Sequence, residues 1–368
     1  MIDFLLGDSR FFWQENIKFF SQFPSAWDSS LNTGVGIPQV NTLWITSYLN
    51  LTASFSIFGF SWPMISLVFW IIPIVAISFI SSFLLYRSII DKNILFASLA
   101  GIIYTTNTYF LLIFLGGQMG VAFAYSFIPF VFLAFIKLLK NPSFYSSILT
   151  GFVLSIQVLF DPRLSGLTAI SLLLLYAIRF KFSKKDLLYC VSIPFVIVLL
   201  LHAFWILPLF FYKSNIIPHE FKLLEGIKFL SFARLENTIS LLHPNWPENI
   251  FGKVYFMRAE FLVLPILAFV SLLFINVKRK MLSEKQTLKT KNIQNHFPSE
   301  PFNHRIIVFF ALLSLISAFL AKGTQEPFGQ LFLWLVDNVP GFSIYRDSTK
   351  FYGLIALAIR CSYHLVCG

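Results

Sequence analysis

Charged residues are scarce in this sequence: Asp, Glu, Lys and Arg make up only 12% of its 368 residues, against roughly 25% in an ordinary soluble domain. Hydrophobic residues make up 57% and aromatic residues 18%. A water-soluble fold of this size has too small an interior to bury that much apolar surface. The composition therefore excludes an ordinary soluble domain and predicts an integral membrane protein.

Cysteine and the motifs of common soluble enzymes are scarce as well. Cys190, Cys361 and Cys367 are too few and too widely spaced for a disulfide framework or a zinc site. No residues have the HExxH or CxxC spacing of a metal site, and neither a P-loop nor a GxSxG nucleophile motif occurs. The sequence therefore gives no support to the chemistries that these motifs serve in soluble enzymes.

Long, largely uncharged stretches are what the sequence has instead. A helix needs about 20 mostly apolar residues to cross the hydrocarbon core of a bilayer. Stretches near this length lie at 60–86, 94–114, 120–138, 144–160, 164–180, 187–212, 258–277, 305–321 and from 351 onward. We expect an all-α, polytopic transmembrane protein with about eight or nine membrane helices. The fourth and fifth stretches are short and contain polar residues, so the alternative for them is a helical hairpin packed inside protein.

The distribution of Lys and Arg predicts how these helices are oriented, because short cytoplasmic loops of membrane proteins retain positive charge. If the N-terminal segment is external, the internal loops hold 15 basic and four acidic residues, whereas the external segments hold 12 basic and 13 acidic ones. The net charge of +11 then indicates topology, and a nucleic-acid partner is not expected. We expect a multi-pass protein of the cell membrane.

The same signals predict the organisation of the chain. A segment at 278–304 is rich in Lys, Gln, Asn and Thr without apolar periodicity, which is typical of a disordered linker. We expect an external segment (1–59), a membrane core (60–277) that includes an external loop (213–257), a cytoplasmic linker (278–304) and a second membrane block (305–368) with an external loop (322–350). No internal repeat is visible, which counts mildly against a secondary transporter.

Two carboxylates are candidate catalytic groups on the predicted external side. Asp8 lies in an N-terminal segment rich in Trp and Phe, for which the alternative is an interfacial segment with solvated carboxylates. Asp161 lies beside Arg163 in the turn between the fourth and fifth stretches. An acidic residue at membrane depth is costly unless it is paired or hydrated, and it therefore indicates function. The alternative is that Asp161 and Arg163 simply pair across the turn.

Two further external loops contain candidate binding residues. His243, Trp246 and Glu260 combine aromatic and polar groups that suit a carbohydrate, although the same mixture anchors loops at a membrane interface. Arg346 and Lys350 place two cations just before the last apolar stretch. Such a pair can bind a lipid-linked phosphate, and the alternative is contact with lipid headgroups.

The segment PGFSIYRDSTKF (340–351) resembles a signature of the YfhO-like and arabinofuranosyltransferase-like membrane proteins, which belong to the GT-C class of glycosyltransferases. The preceding AKGTQEPFGQLFLWLVDN (321–338) is similar to the segment that leads into that signature. The opening loop is similar too, through Gly7-Asp8, Trp27 and Gly36-Ile37-Pro38. Family members begin with a helix before this loop and continue well past the signature, so we expect this chain to be a fragment.

The resemblance implies transfer of a sugar from a polyprenyl-phosphate donor to an external acceptor. In this class an acidic residue of the first external loop acts as catalytic base or orients the donor phosphate, and Asp8 matches it, with Asp161 as a second candidate. Arg163, Arg346 and Lys350 would bind the donor phosphate, and His243, Trp246 and Glu260 the sugar or acceptor. A divalent metal is left open. The alternatives are a membrane transporter and a non-catalytic membrane scaffold.

Overall fold

The computed structural model describes residues 46–89, 92–178, 183–211, 224–231, 233–241, 259–263, 265–266, 269 and 300–361. Within these ranges every regular element is a helix, and no strand occurs. The all-α class is therefore confirmed.

The main helices follow one another with short connections. They are α1 (Thr46–Ala53), α2 (Trp62–Ile89), α3 (Ile94–Thr106), α4 (Thr108–Leu115), α5 (Met119–Lys140), α6 (Phe144–Phe160), α7 (Pro162–Ala177), α8 (Lys184–Leu207), α9 (Leu224–Phe229), α10 (Leu235–Thr238), α11 (Glu300–Ala321), α12 (Gly329–Asn338) and α13 (Tyr352–Cys361). Shorter 3₁₀ turns lie at Ser54–Phe58, Ala259–Leu262, Phe342–Tyr345 and Ser348–Phe351. A π-helical turn interrupts α2 at Leu67–Ile71 and α8 at Leu188–Ser192.

Three of the described helices, α2, α5 and α8, are long and apolar enough to cross a membrane. Helices α3 and α4 pass the same test together, although the chain bends by 44° between them. Helices α6 and α7 and the part of α11 from Arg305 to Ala321 are apolar but shorter. Each of these helices coincides with a stretch that the sequence indicated. The total of eight or nine spans stays a prediction, because most of 258–277 lies outside the described residues.

The exposure of the apolar helices supports membrane association. Most of α5 is buried inside the protein, whereas most of α2 and α8 is not. The exposed side chains of these two helices are large and apolar, among them Ile72 and Val75 in α2 and Phe195 and Leu200 in α8. Helices that are apolar on their exposed faces are typical of lipid surroundings, because in water such faces would associate with other surfaces.

The described chain forms two compact units. Unit 1 consists of Met1–Ser81, Phe110–Ile170 and Phe182–Lys222. In it α6 packs along both α5 and α8. The connection between α5 and α6 is only three residues long, which makes the two helices antiparallel neighbours, and Ser143 caps α6 through a bond from Ser146 N to its Oγ (3.2 Å).

Aromatic side chains and one amide hold the core of unit 1 together. The rings of Phe123 and Phe160 stack with centroids 3.9 Å apart, and the ring of Tyr48 meets Phe160 edge-on at 5.0 Å. Such pairs each add about 0.5–1.5 kcal/mol beyond area burial. The Gln157 side chain links three helices, because its Nε2 donates to Ala124 O (3.2 Å) and to Thr168 Oγ1 (3.0 Å).

The fourth and fifth stretches form a helical hairpin, since only Asp161 separates α6 from α7. Ser155 and Gln157, the polar residues that suggested this arrangement, are buried. The hairpin also keeps large apolar side chains exposed, including Phe152 on α6 and Ile170 on α7. It is therefore not wholly enclosed by the described protein.

Unit 2 consists of Ser82–Tyr109, Ser171–Lys181 and Leu223–Gly368. Here α13 packs along α11, while α10 contacts α11 and α3 contacts α13. Residues 322–351 connect the end of α11 at Ala321 to the start of α13, and the 3₁₀ turn Ser348–Phe351 packs against α11. Ser348 Oγ fixes the return by donating to Ala321 O (2.9 Å).

Candidate functional site

Asp161 forms the N-cap of α7. Its Oδ1 accepts hydrogen bonds from the backbone N of Arg163 and of Leu164, both at 2.9 Å. Pro162 follows it at the first helical position, where the missing N–H of proline is no loss. An Asp followed by Pro is a typical start signal for a helix, so this local structure follows directly from the sequence.

The same carboxylate is paired with Arg163. Arg163 Nη2 lies 2.6 Å from Asp161 Oδ2, and Nε lies 3.2 Å from that oxygen. The pairing that the sequence offered as one alternative is therefore present. Asp161 is 1% exposed, whereas the Arg163 side chain is 38% exposed. Asp161 would have to exchange one of these bonds for the acceptor hydroxyl to act as a general base.

Lys350 and Asp347 form a second ion pair, in unit 2. Lys350 Nζ lies 2.9 Å from Asp347 Oδ2, and the Lys350 side chain is 2% exposed. Asp347 Oδ1 also accepts hydrogen bonds from the backbone N and the Oγ1 of Thr349, which caps the 3₁₀ turn Ser348–Phe351. A phosphate at Lys350 would therefore compete with Asp347 for the ammonium group.

Opposing effects act on the pKa of the Asp347 carboxyl. Burial raises the pKa, because it disfavours the charged form. The charge of Lys350 and the hydrogen bonds from Thr349 and Lys350 outweigh burial and hold the pKa below its ordinary value. Asp347 is therefore ionised at neutral pH, and the pair with Lys350 is a charged one.

Arg346 is half-buried and lies between two successive 3₁₀ turns. Its backbone N donates to Ser343 O at 3.3 Å. An aromatic cluster of Phe342, Tyr345 and Phe351 surrounds the turn, with ring centroids about 6 Å apart in each pair. The Arg346 backbone is thus held by a packed scaffold, which is the arrangement that a positioned phosphate-binding guanidinium requires.

A buried lysine in the same segment was missed by the sequence reasoning. Lys322 is fully buried: its Nζ donates to Gln325 O (2.7 Å) and lies 4.5 Å from the centre of the Phe319 ring. Burial lowers the pKa of the Lys322 ammonium, and nearby Glu326 partly opposes this. A lysine at the end of an apolar helix usually extends to water, so the sequence carried no signal of its burial.

Ser231 joins the turn that contains Lys322 to the preceding part of unit 2. Its Oγ accepts a hydrogen bond from Thr324 N (3.0 Å), and its backbone O accepts one from Gln325 Nε2 (2.8 Å). Gly323 adopts a positive φ of 60°, and a Cβ at this position would overlap Ser231 Oγ. The turn therefore requires glycine both for its backbone conformation and for the close approach of Ser231.

His202 is a second residue that the sequence reasoning missed. It is buried at a break in α8, where its Nε2 lies 2.9 Å from Ser155 O on α6. Trp205 Nε1 donates to His202 Nδ1 at 3.0 Å. Because Nδ1 accepts this bond, the proton must reside on Nε2, which donates to Ser155 O. The uncharged ring therefore ties α8 to α6.

The remaining predicted site residues are placed as follows. Asp8, His243 and Trp246 lie outside the described residues. Glu260 is exposed in the 3₁₀ turn Ala259–Leu262 of unit 2. Asp161 and Arg163 belong to unit 1, and Arg346, Lys350 and Glu260 belong to unit 2. That the residues of unit 1 and those of unit 2 line a single cavity stays a prediction.

No group of three or more His, Cys, Asp or Glu side chains able to hold a metal ion occurs in the described ranges. The likeness to the GT-C class rests on the sequence segments quoted above. Comparison of the chain with protein-family models, with curated proteins and with solved structures gave no match.

Proposed function

We propose that this chain is a multi-pass membrane protein of the GT-C type, which transfers a sugar from a polyprenyl-phosphate donor to an acceptor outside the membrane. The observation that carries the proposal is the segment 340–351. The residues that resemble the GT-C signature are the same residues that form a compact, cation-bearing turn at one end of the apolar pair α11 and α13.

The proposed topology has eight or nine spans, an external N-terminal segment and a location in the cell membrane. The ends of the membrane-length helices support it. Arg87 lies at the end of α2, Lys137 and Lys140 lie at the end of α5, and Lys184 and Lys185 lie at the start of α8. All three are the ends that the charge distribution assigns to the cytoplasm, where positive residues are retained.

The proposed chemistry is an inverting transfer. The acceptor hydroxyl oxygen attacks the anomeric carbon, the bond from that carbon to the donor phosphate oxygen breaks, and polyprenyl phosphate leaves with the electron pair. A carboxylate takes the hydroxyl proton, and cations stabilise the leaving phosphate. Asp8 is the proposed base and Asp161 the second candidate. A divalent metal remains an alternative to side-chain cations.

The described residues suggest different roles for the three proposed phosphate-binding cations. Lys350 is neutralised by Asp347, so its main contribution is to fix the turn that holds Arg346. Arg346 is half-buried and offers a guanidinium fork, which matches two phosphate oxygens. Arg163 is likewise part of an ion pair, with Asp161. Arg346 also lies inside the segment that resembles the GT-C signature, so its removal is the first substitution to test for an effect on donor binding.

The first test measures donor binding. Full-length protein in lipid nanodiscs should bind polyprenyl phosphate, and Arg346→Ala should weaken binding by about 2 kcal/mol, or roughly 30-fold, as expected for a charge-assisted hydrogen bond. Lys228→Ala is the matched control, because Lys228 is an exposed cation of the same unit. Equal weakening by both variants, or no binding by the parent, would count against the proposal.

The second test measures transfer. Membranes that contain the chain are given a panel of labelled polyprenyl-phosphate sugars, and transfer to an external acceptor is followed. Asp8→Asn should lower the rate by about 10²- to 10⁴-fold, the usual contribution of a general base, without changing the amount of inserted protein. Full activity of Asp8→Asn would remove the proposed base role from Asp8, and Asp161→Asn would be tested next.

A further inference from the structure

Helix α12 (Gly329–Asn338) has two distinct apolar faces. One face, with Gly329, Phe332 and Val336, is buried against unit 2. The other presents Leu331 and Trp334 to the outside, with 46% and 55% of their surfaces exposed. Packing within unit 2 explains the first face and leaves the second unexplained.

The turn before α12 adds a third large apolar side chain to the exposed face. Phe328 is 70% exposed, and its φ is 62°. A positive φ is strained for a bulky residue, and such strain persists only where the surrounding structure imposes it. The backbone next to Phe328 is closely packed, because a Cβ on Gly329 would overlap the carbonyl oxygen of Thr324. The turn therefore holds an aromatic ring away from the protein at a cost in backbone strain.

Helix α12 follows closely after the end of an apolar helix. The exposed side of α11 is an apolar stripe of Val308, Leu312, Leu315 and Ile316. Helix α11 ends at Ala321, and only residues 322–328 separate it from α12. With the stripe of α11 in lipid, the chain emerges from the hydrocarbon core at Ala321, so α12 begins close to the level of the lipid headgroups.

We propose that α12, together with Phe328, is an interfacial helix that lies on the bilayer surface and inserts Phe328, Leu331 and Trp334 at the boundary between headgroups and acyl chains. Its ten residues span about 15 Å, which is too short to cross a bilayer. Tryptophan is enriched at this depth. The inference rests on the proposed membrane insertion of α11 and goes beyond the proposed transferase activity.

The polar residues of α12 fit a lipid surface. Gln330, Asp337 and Asn338 are exposed. Gln330 and Asp337 lie on one edge of the helix, beside Trp334. Asn338 ends the apolar face at the last residue of the helix, where its Nδ2 donates to Trp334 O (2.9 Å). The sequence of α12 contains no Lys or Arg. Binding through apolar side chains alone should not depend on anionic lipid or on salt, unlike binding through basic residues.

The test measures the surroundings of single spin labels on the full chain in lipid vesicles. Cys190, Cys361 and Cys367 are first replaced by Ala, and retention of folding is checked by gel filtration. Labels are then placed with Leu331→Cys and Trp334→Cys on the proposed lipid face. Gln330→Cys and Asp337→Cys are matched controls on the polar edge of the same helix. Leu312→Cys on α11 reports whether unit 2 is inserted at all.

Oxygen concentrates in lipid and the nickel complex in water, so the ratio of their collision rates with a spin label is higher for a label in lipid. We expect this ratio to be several-fold higher at Leu331 and Trp334 than at Gln330 and Asp337. The ratios should be the same in zwitterionic and anionic vesicles. A lipid signal at Leu312 with a water signal at Leu331 and Trp334 would overturn the inference alone. Protection of those two labels from both reagents would also overturn it and would indicate a protein partner. A water signal at Leu312 as well would overturn the proposed insertion.

Discussion

Burying a carboxylate among apolar helices costs free energy unless hydrogen-bond donors or a positive charge contact it. Two separate sets of donors contact Asp161. The backbone N–H groups at the start of α7 bind one oxygen, and the Arg163 guanidinium contacts both. Each set lowers the cost of burying a charge, and both act on a carboxylate that is only 1% exposed. The residue therefore has a structural role irrespective of catalysis.

The capping role predicts a difference between two substitutions of Asp161. Asp161→Ala removes both the cap and the ion pair, whereas Asp161→Asn keeps an oxygen that can cap α7. We expect Ala to cost about 1 kcal/mol more than Asn, the typical value of an N-cap. The measurement is the thermal midpoint of the full chain in nanodiscs. Equal midpoints for the two variants would contradict the capping role.

Single residues also show what the sequence predicted about the site. The pairing of Asp161 with Arg163 was one of two alternatives, and the Asp-Pro start signal explains why the structure forms it. The burial of Lys322 and the link from Ser231 to Thr324 were not predictable. Ser231 and Thr324 are 93 positions apart, and no local pattern specifies contacts over that distance.

At the scale of elements, the turn at 322–325 depends on the glycine within it. Gly323→Ala places a Cβ at a positive φ and against Ser231 Oγ, so we expect a loss of more than about 1 kcal/mol in stability. Gly226→Ala is the matched control: Gly226 lies in α9 with open space around it, and alanine there should stabilise by about 0.5–1 kcal/mol. Thermal midpoints of the two variants should therefore move in opposite directions.

A double variant separates the two causes of the loss. Ser231→Ala removes the hydroxyl that the new Cβ would meet, and the strain at φ remains. Gly323→Ala should therefore cost less in the Ser231→Ala background than in the wild type. An equal cost in both backgrounds would mean that Ser231 does not approach Gly323 as the structure has it.

The turn Ser348–Phe351 predicts a dependence of stability on pH. The pKa of Asp347 is lowered in the folded protein, so its ion pair stabilises the fold above the pKa of an unfolded Asp, about 3.9. This contribution is lost as the pH falls from there through the lower folded value. The wild type should therefore lose more stability between pH 7 and pH 3 than Asp347→Asn does.

The exposed Asp337 supplies the matched control for this measurement, because it belongs to the same segment and its substitution leaves the pair between Asp347 and Lys350 in place. Asp337→Asn should show the same loss at low pH as the wild type. If Asp347→Asn and Asp337→Asn behave alike, the pair between Asp347 and Lys350 does not stabilise the folded state as its geometry implies.

The elements themselves were largely predictable, and their interruptions were not. The stretch 60–86 corresponds to α2 and the stretch 120–138 to α5, because runs of apolar residues are visible in any average of hydropathy. The single stretch 94–114 became two helices at 44°. Asn107 ends the first by donating its Nδ2 to Tyr104 O (2.7 Å). One polar residue hardly changes the average hydropathy of the stretch, yet it changes the direction of the backbone.

At the scale of the whole molecule, linear order and spatial grouping differ. Unit 1 and unit 2 each combine three separate stretches of chain, and helix contacts such as those of α11 with α13 and α3 with α13 define them. Hydropathy and charge locate helices along the chain and predict on which side of a membrane their ends lie. They contain no information on which helices pack together, because apolar faces of similar composition are interchangeable in lipid.

The predicted topology can be tested as a single property of the chain. Single cysteines are introduced into the variant without native cysteines, and a membrane-impermeant thiol reagent is added to intact cells. Lys285→Cys and Lys140→Cys, in the predicted cytoplasmic segments 278–304 and 137–143, should react only after the membrane is permeabilised. Gln330→Cys, in the predicted external loop 322–350, should react at once.

The physical basis is the cost of moving basic loops across the membrane against the positive-inside bias, which acts on short loops and on residues near helix ends. Lys140 is such a residue, because it is the last one of α5 and is exposed. Labelling of both Lys285→Cys and Lys140→Cys in intact cells would show that the orientation is the inverse of the predicted one. Arg346 would then lie on the cytoplasmic side. The proposed phosphate-binding residue and the external acceptor would then lie on opposite sides of the membrane, which contradicts the proposed transfer. The ion pairs and the cap of α7 do not depend on the orientation.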